Sequence, residues 1–314
     1  MDPLDWALVC HLAADARMSY QFLARTLGVS SNTVKNRMNK LLEREVILGF
    51  GVMVSVEMIG AEHVAGFVAT NGSEEVIDFM EQVATQPMVC EVYRTSDRRY
   101  EYWAMVTGAS ETLGLKRFLK DLDGVNHVEM RPQVFFFPNK PSGFFLNTRG
   151  RKVTFSRSQL LVLRCLMKDA RMPVSQIAKE TGFTPRRARR ILRELQDGGG
   201  VVFSIGYDVF ALGDMEYRLR ICYDESQASG HEVLRQIYEK YPNEFWWSAI
   251  VTNEPMLELG LIIDRPGRGG LILNELKAIP FVKSVEDMVS FPRVVRGNNP
   301  LRRRLEELLI EAGL

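Results

Sequence analysis

Four consecutive residues, Asp15-Ala16-Arg17-Met18, recur 154 positions later as Asp169-Ala170-Arg171-Met172. With no gap at that offset, Ala24 falls on Ala178, Gly28 on Gly182, Ser30 on Thr184, Val34 on Ala188, Met38 on Leu192 and Leu41 on Leu195. One structural unit is therefore built twice, and whatever the first copy folds into constrains the second. The chain's 314 residues, 46% of them hydrophobic, suffice for two or more buried cores.

Residues 4–14 carry Leu4, Ala7, Leu8 and Leu12 at helical spacing. Ser19 starts a second short helix, which ends at Gly28, a residue suited to a left-handed stop. Ser30 can cap a third helix with the buried stripe Val34, Met38 and Leu41. Its other faces show Ser31, Asn32, Lys35, Asn36, Arg37, Asn39 and Lys40. Three short helices with a tight glycine-containing turn before the last make a helix-turn-helix, whose last helix enters the major groove of DNA. Residues 46–60, VILGFGVMVSVEMIG, suit a β-hairpin wing.

The partner of that third helix is Thr184–Leu195, TPRRARRILREL. Thr184 is a cap, and Pro185 suits the first helical position. Ala188, Ile191, Leu192 and Leu195 form the apolar stripe. Arg186, Arg187, Arg189, Arg190 and Arg193 lie off it, against the single acid Glu194. Standing alone, such a face is most simply a solvated one. At the position of a recognition helix it is a phosphate-contacting surface. The net charge of +1 makes any nucleic-acid surface local rather than global.

Each helix-turn-helix is followed by an α+β stretch in the order βαββαβ, the ferredoxin-like arrangement with two helices on one face of an antiparallel sheet. In the first copy Ser73 and Ser110 are the expected helix caps, and residues 125–137 a single last strand. The expected layout is a winged helix-turn-helix over 1–60, a ferredoxin-like domain over 61–138 and a linker over 139–152. A second winged helix-turn-helix over 153–212 and a second ferredoxin-like domain over 213–296 follow, then an amphipathic helix over 297–314. Trp103, Phe135, Phe136, Phe137, Phe245, Trp246 and Trp247 fall on expected strands, where aromatics belong to the core or to a sheet-to-sheet interface.

The first copy resembles the Lrp/AsnC family of prokaryotic transcription regulators. The resemblance rests on Leu4-Asp5-x-x-Leu8, Asp15-Ala-Arg17, Leu23-Ala24, Gly28-Val29-Ser30, Thr33-Val34-x-x-Arg37-Met38-x-x-Leu41, Val46-Ile47 and Gly49-Phe50. The second copy matches more loosely, through Asp169-Ala-Arg171, Ile177-Ala178, Gly182-Phe183-Thr184, Ile191-Leu192-x-x-Leu195 and Val201-Val202. The resemblance implies a DNA-binding regulator with double-stranded DNA as partner and no enzymatic activity. Family members carry one copy per chain and dimerise through the α+β domain. Two copies in one chain can pair their sheets internally, and the two recognition helices then differ. A homodimer or higher oligomer of the tandem chain remains expected.

The resemblance also implies a small-molecule effector near the turn between the second and third strands of each α+β domain, where a glycine followed by an acid is usual. Here those turns hold Asp97, Arg98 and Arg99 in the first copy and Glu254 in the second, without the glycine. Asp97 and Glu254 could hold an amino group and Arg98 or Arg99 a carboxylate, or all four are solvated turn residues. The same architecture resembles siroheme decarboxylases, some of which are fused halves; this is the alternative reading. Their His/Tyr and Arg-Asp motif at the strand turn is not met by Glu91-Val92-Tyr93-Arg94-Thr95-Ser96-Asp97. No two of His11, His63, His127 and His231 are evidently paired with one another in the sequence. No nucleophile elbow, phosphate-binding loop or metal-spaced Cys/His cluster is present, so no cofactor and no metal site is expected. Cys10, Cys90, Cys165 and Cys222 lie far apart in apolar runs, which suits reduced thiols in a cytoplasm. No secretory signal or membrane span is legible.

Overall fold

The computed structural model describes residues 2–135, 150–212 and 215–314. Phe136, Phe137 and most of the expected linker lie outside the described residues. The first copy contributes α1 (Pro3–Ala14), α2 (Tyr20–Leu27), α3 (Ser31–Glu43), β1 (Ile47–Val54), β2 (Glu62–Thr70), α4 (Val76–Ala84), β3 (Val89–Thr95), β4 (Tyr100–Val106), α5 (Ala109–Asp121), β5 (Val125–Val128) and β6 (Arg131–Phe135). The second contributes α6 (Arg157–Leu166), α7 (Val174–Thr181), α8 (Pro185–Asp197), β7 (Val201–Tyr207), β8 (Met215–Tyr223), α9 (Gly230–Lys240), β9 (Phe245–Val251), β10 (Met256–Ile263), α10 (Pro266–Lys277) and β11 (Val282–Arg296), followed by α11 (Pro300–Glu311). The fold is α+β, with two winged helix-turn-helix motifs and two βαββαβ repeats whose strands join in one sheet. Among the described residues no helix is long and apolar enough to cross a membrane.

The chain divides into two compact units, and each draws segments from both copies. One holds residues 1–60, 140–212 and 301–314; the other holds 61–139 and 213–300.

In the first unit the helix ends form as their residues dictate. Ser30 accepts a hydrogen bond from the Thr33 amide at 3.0 Å, and Thr184 accepts one from the Arg187 amide at 3.2 Å. Gly28 and Gly182 close α2 and α7 in the left-handed region, at φ 68° and 71°. The expected hairpin wing is not found. β1 is a single strand that ends at Ser55 in a short 3-10 turn, and it pairs antiparallel with β7 of the other copy, from Ile47 opposite Tyr207 to Val54 opposite Val201. Each copy thus supplies one strand of a shared two-stranded ribbon. The Ser55 amide, where a hairpin would turn back, donates to the Gly200 carbonyl of the other copy at 2.9 Å.

The repeated Asp-Ala-Arg segments lock this ribbon. Arg171 donates to the carbonyls of Ala16 at 2.6 Å and Met18 at 3.0 Å. Arg17 donates reciprocally to those of Ala170 and Met172. α11 lays Leu301, Leu305 and Leu309, spaced one turn apart, into this same unit. Arg302 caps the arrangement with hydrogen bonds to the carbonyls of Val52 and Met167, at 3.4 and 3.3 Å.

In the second unit the strands run β4-β3-β11-β8-β10-β9-β6-β2-β5. A further pairing of β2 with β4 closes the sheet into a ring, with β5 and β6 sharing one edge of β2. The two copies meet along β3–β11 and β6–β9. Alternation sorts the side chains. Tyr100, Tyr102 and Ala104 point outward to Phe79, Met80 and Val83 of α4 and Leu115 and Leu119 of α5. Tyr217, Leu219, Ile221, Leu257, Leu259 and Leu261 do the same against α9 and α10.

Three local expectations change. The last strand of the first copy breaks into β5 and β6 at Glu129, whose carbonyl accepts from the Tyr102 hydroxyl and whose carboxylate turns to Arg131 and Arg220. Ser73 does not cap α4; it bonds Asn71, and Glu75 accepts from the Val76 amide. Ser110 lies inside α5, which Gly108 precedes without a side-chain cap.

Candidate nucleic-acid interface and the interior of the sheet ring

α3 is held against the core by Val34, Met38 and Leu41, all buried. Asn32, Asn36 and Asn39 follow at i, i+4 and i+7, which sets them along the face opposite that stripe. All three are exposed, as are Lys35 and Lys40 on the flanks; Ser31 is half-buried. Arg37 does not join them. It bridges Asp2 and Asp5 at 3.2 and 3.1 Å and ties α3 to α1.

α8 buries Ala188, Ile191, Leu192 and Leu195 and exposes all five arginines. They are not equivalent. Arg187 lies over the Phe183 ring at 4.1 Å and donates to Ser158 Oγ at 2.8 Å. Arg190 pairs with Glu194 one turn on, at 3.4 Å. Arg186, Arg189 and Arg193 complete the face opposite the apolar stripe. The unit therefore carries one amide-rich and one guanidinium-rich helix. The amide of asparagine reads adenine through a donor and an acceptor together, whereas clustered guanidiniums suit phosphates and guanine.

The effector candidates sit on the other unit. Asp97 bonds Thr95 Oγ1 and Arg99 Nε, both at 2.6 Å. Burial opposes its charge, but these bonds hold its carboxyl below the usual range. Arg98 adopts φ 65° and gives its carbonyl to Arg94. Glu254 pairs with Arg131. Both carboxylates that could hold a ligand's amino group thus already have partners within the chain. The two turns are joined by a run of charges: Arg99 to Glu286 at 3.8 Å, Glu286 to Arg220 at 3.5 Å, and Arg220 through Glu129 to Arg131.

That run continues into the ring, which sequence reasoning missed. Glu101, Gln133, Glu216, Arg218, Arg220 and Glu258 are buried there. Arg218 pairs with Glu101 and, at 3.1 Å, with Glu216, and lies over the rings of Tyr93, Trp103 and Trp247 at 4.2, 5.8 and 5.3 Å. Burial pushes the Glu101 carboxyl up to about 7, against the pull of the Arg218 guanidinium. Burial disfavours the Arg218 charge, yet Glu101 and Glu216 hold its proton more firmly than usual. The sequence signal was Glu216-Tyr217-Arg218-Leu219-Arg220, charge alternating with apolar residues on one strand. Of the expected aromatics, Trp103, Trp247 and Phe135 cluster inside the ring, with Trp103 4.7 Å from Trp247 and 4.9 Å from Phe135.

An AsnC-type helix-turn-helix domain matches residues 1–42, and a winged helix-turn-helix DNA-binding domain matches residues 155–201. An uncharacterized HTH-type transcriptional regulator of Pyrococcus furiosus is 30% identical over 130 residues, which are 41% of this chain and 86% of the relative. The chain belongs to the Lrp/AsnC family of transcription regulators. The HTH-type transcriptional regulator Ptr1 of Methanocaldococcus jannaschii is 26% identical over 174 residues, 55% of this chain and 99% of that protein. These Lrp/AsnC relatives thus match about half of the tandem chain. The whole chain also superposes on the siroheme decarboxylase NirDL with a TM-score of 0.58 at 10% identity, covering 99% of this chain and 100% of that one, a likeness of fold.

Proposed function

We propose that this Lrp/AsnC regulator binds a non-palindromic DNA site through two unequal recognition helices held in one unit. The observation that carries the reading is the contrast between α3 and α8. α3 presents Asn32, Asn36 and Asn39 between Lys35 and Lys40; α8 presents Arg186, Arg189, Arg190 and Arg193. α3 supplies most of the base discrimination, and α8 most of the phosphate neutralisation. The β1–β7 ribbon and the reciprocal arginines fix the two helices to one another, so one chain provides a complete pair. Asp97, Arg98, Arg99 and Glu254 are the positions at which an effector would meet the second unit. Such a ligand would have to compete with the internal partners of Asp97 and Glu254.

In vitro selection of DNA sequences bound by the full chain tests this. The expected outcome is an enriched motif with two dissimilar halves at constant spacing. A palindromic motif, or none, would overturn the reading. The fold shared with NirDL favours a second reading, tetrapyrrole chemistry in the second unit. An absorption shift on mixing the chain with siroheme would support it, and an unchanged spectrum would remove it.

A further inference from the structure

The two copies touch in two ways, and only one discriminates between them. In the first unit the contact is self-complementary. Arg17 and Arg171 make the same bonds to each other's segment, and β1 and β7 are equivalent strands. Apart from the α11 contacts of Arg302, two first copies or two second copies could form this ribbon and its arginine bonds equally well. In the ring the contact is not self-complementary.

Strand register gives the equivalent positions. Phe67 stands opposite Glu101, and Ala65 opposite Trp103. In the second copy Arg220 stands opposite Glu258, and Arg218 opposite Gly260. Phe67 is therefore equivalent to Arg220, Ala65 to Arg218, and Trp103 to Gly260. In the same way Tyr93 is equivalent to Ala249, and Arg131 to Met288. The first copy is bulky and aromatic where the second is small, and the second carries guanidiniums where the first has none.

We infer that the inner faces of the two half-sheets are mutually specific: the first copy's face fits a second copy's face and neither fits itself. The present contacts are of that kind. Arg218 crosses to Glu101 and lies over Tyr93 and Trp103. Arg220 crosses to Glu129 and lies over Phe67 at 4.4 Å. Pairing two first copies would put Ala65 at the Arg218 position, leaving the buried Glu101 carboxylates without that guanidinium. In such a pair the second-copy carboxylates Glu254 and Glu258 are absent, so Arg131 would face Glu129 and the other first copy's Glu101, one guanidinium per copy in a ring that has lost both Arg218 and Arg220. Pairing two second copies would put Gly260 and Ala249 where Trp103 and Tyr93 stand, leaving under Arg218 only the Trp247 ring of the second copy itself. It would also set Arg220 against another Arg220 in place of Phe67. Both mismatches oppose the wrong pairing, as a charge or volume clash does in other specific interfaces.

The partner this surface accepts is therefore the other copy, in the same chain or, by reciprocal exchange, in a second chain. A single-copy relative does not meet the requirement unless it brings both guanidiniums. The test cuts the full chain once, at a protease site inserted within residues 139–152, unfolds the two fragments together in urea, refolds them and weighs the products by native mass spectrometry. Only pairs of unlike fragments are expected. Pairs of like fragments in statistical amounts would overturn the inference. In the uncut chain, Glu101→Gln should raise the urea midpoint more in an Arg218→Met background than in the native chain, because the carboxylate has then lost its cross-copy partner. Equal shifts in the two backgrounds would also overturn it.

Discussion

Arg171 reaches across 155 positions of sequence to hydrogen-bond the carbonyl of Ala16 at 2.6 Å. Ala16 is fully buried, as is Ala170, whose carbonyl receives Arg17 in return. Removing both guanidiniums leaves these carbonyls short of donors, a cost of roughly 1–3 kcal/mol per buried group left unsatisfied. The double substitution Arg17→Ala/Arg171→Ala should lower the thermal midpoint. It should also weaken binding to a complete DNA site more than to an isolated half-site, because the ribbon no longer holds the two recognition helices in fixed relation. Equal losses on both DNAs, measured by fluorescence anisotropy, would count against the clamp as the coupling element.

Arg186, Arg189, Arg190 and Arg193 are expected to act on DNA of any sequence. Each phosphate-neutralising side chain adds roughly 0.9 to the magnitude of the slope of log K against log salt. Replacing all four with alanine should flatten that slope by up to about that amount per arginine and lower affinity for specific and random DNA alike. Arg187→Ala should do less, since Arg187 is engaged by Phe183 and Ser158. Titrations across a salt series give the slope directly, and an unchanged slope would remove α8 from the interface.

The helices and the caps Ser30 and Thr184 were legible in the sequence because they are local, whereas the expected caps Ser73 and Ser110 were not found. Thr184, Pro185 and the stripe from Ala188 to Leu195 specify α8 within one window. The βαββαβ order was legible for the same reason, through the alternation of apolar residues. The ribbon was not. β1 looks like half of a hairpin, and nothing near residue 54 says that its partner lies at Val201. The ring interior was hidden too. Arg218 acquires Glu101, Tyr93 and Trp103 only when the copies pair, so its alternation with Tyr217 and Leu219 names none of these partners. The two turns proposed for an effector were visible as charged turns, but their internal partners Arg99 and Arg131 are set by tertiary packing.

Glu101 makes the stability of the chain depend on pH. Its carboxyl is raised in the folded chain from 4.5 to about 7, chiefly by burial. The unfolded chain therefore gives up this proton more readily than the folded one. The stabilising contribution is complete below pH 4.5 and is lost as pH rises through about 7. Glu101→Gln keeps an acceptor for the Trp103 Nε1 donor, which bonds Glu101 at 2.9 Å, and cannot ionise. Denaturation midpoints measured at steps of pH should fall less steeply over this window for Glu101→Gln than for the native chain. Identical profiles would show that other groups govern the dependence.

Asn36 and Asn39 are the residues on which sequence preference should rest. They stand on the α3 face opposite Val34, Met38 and Leu41, both exposed, with Lys35 and Lys40 to hold the backbone on either side. An asparagine that bonds adenine through both its amide nitrogen and oxygen contributes roughly 1–3 kcal/mol of discrimination against the wrong base. It neutralises no phosphate. Asn36→Ala and Asn39→Ala should therefore lower affinity for the selected site about 5- to 150-fold while leaving binding to random DNA, and the salt slope, as they are. This is the opposite signature to that of the α8 arginines. The pair of experiments separates the two helices by role: a uniform loss on all DNAs from Asn36→Ala would assign α3 to the phosphates instead.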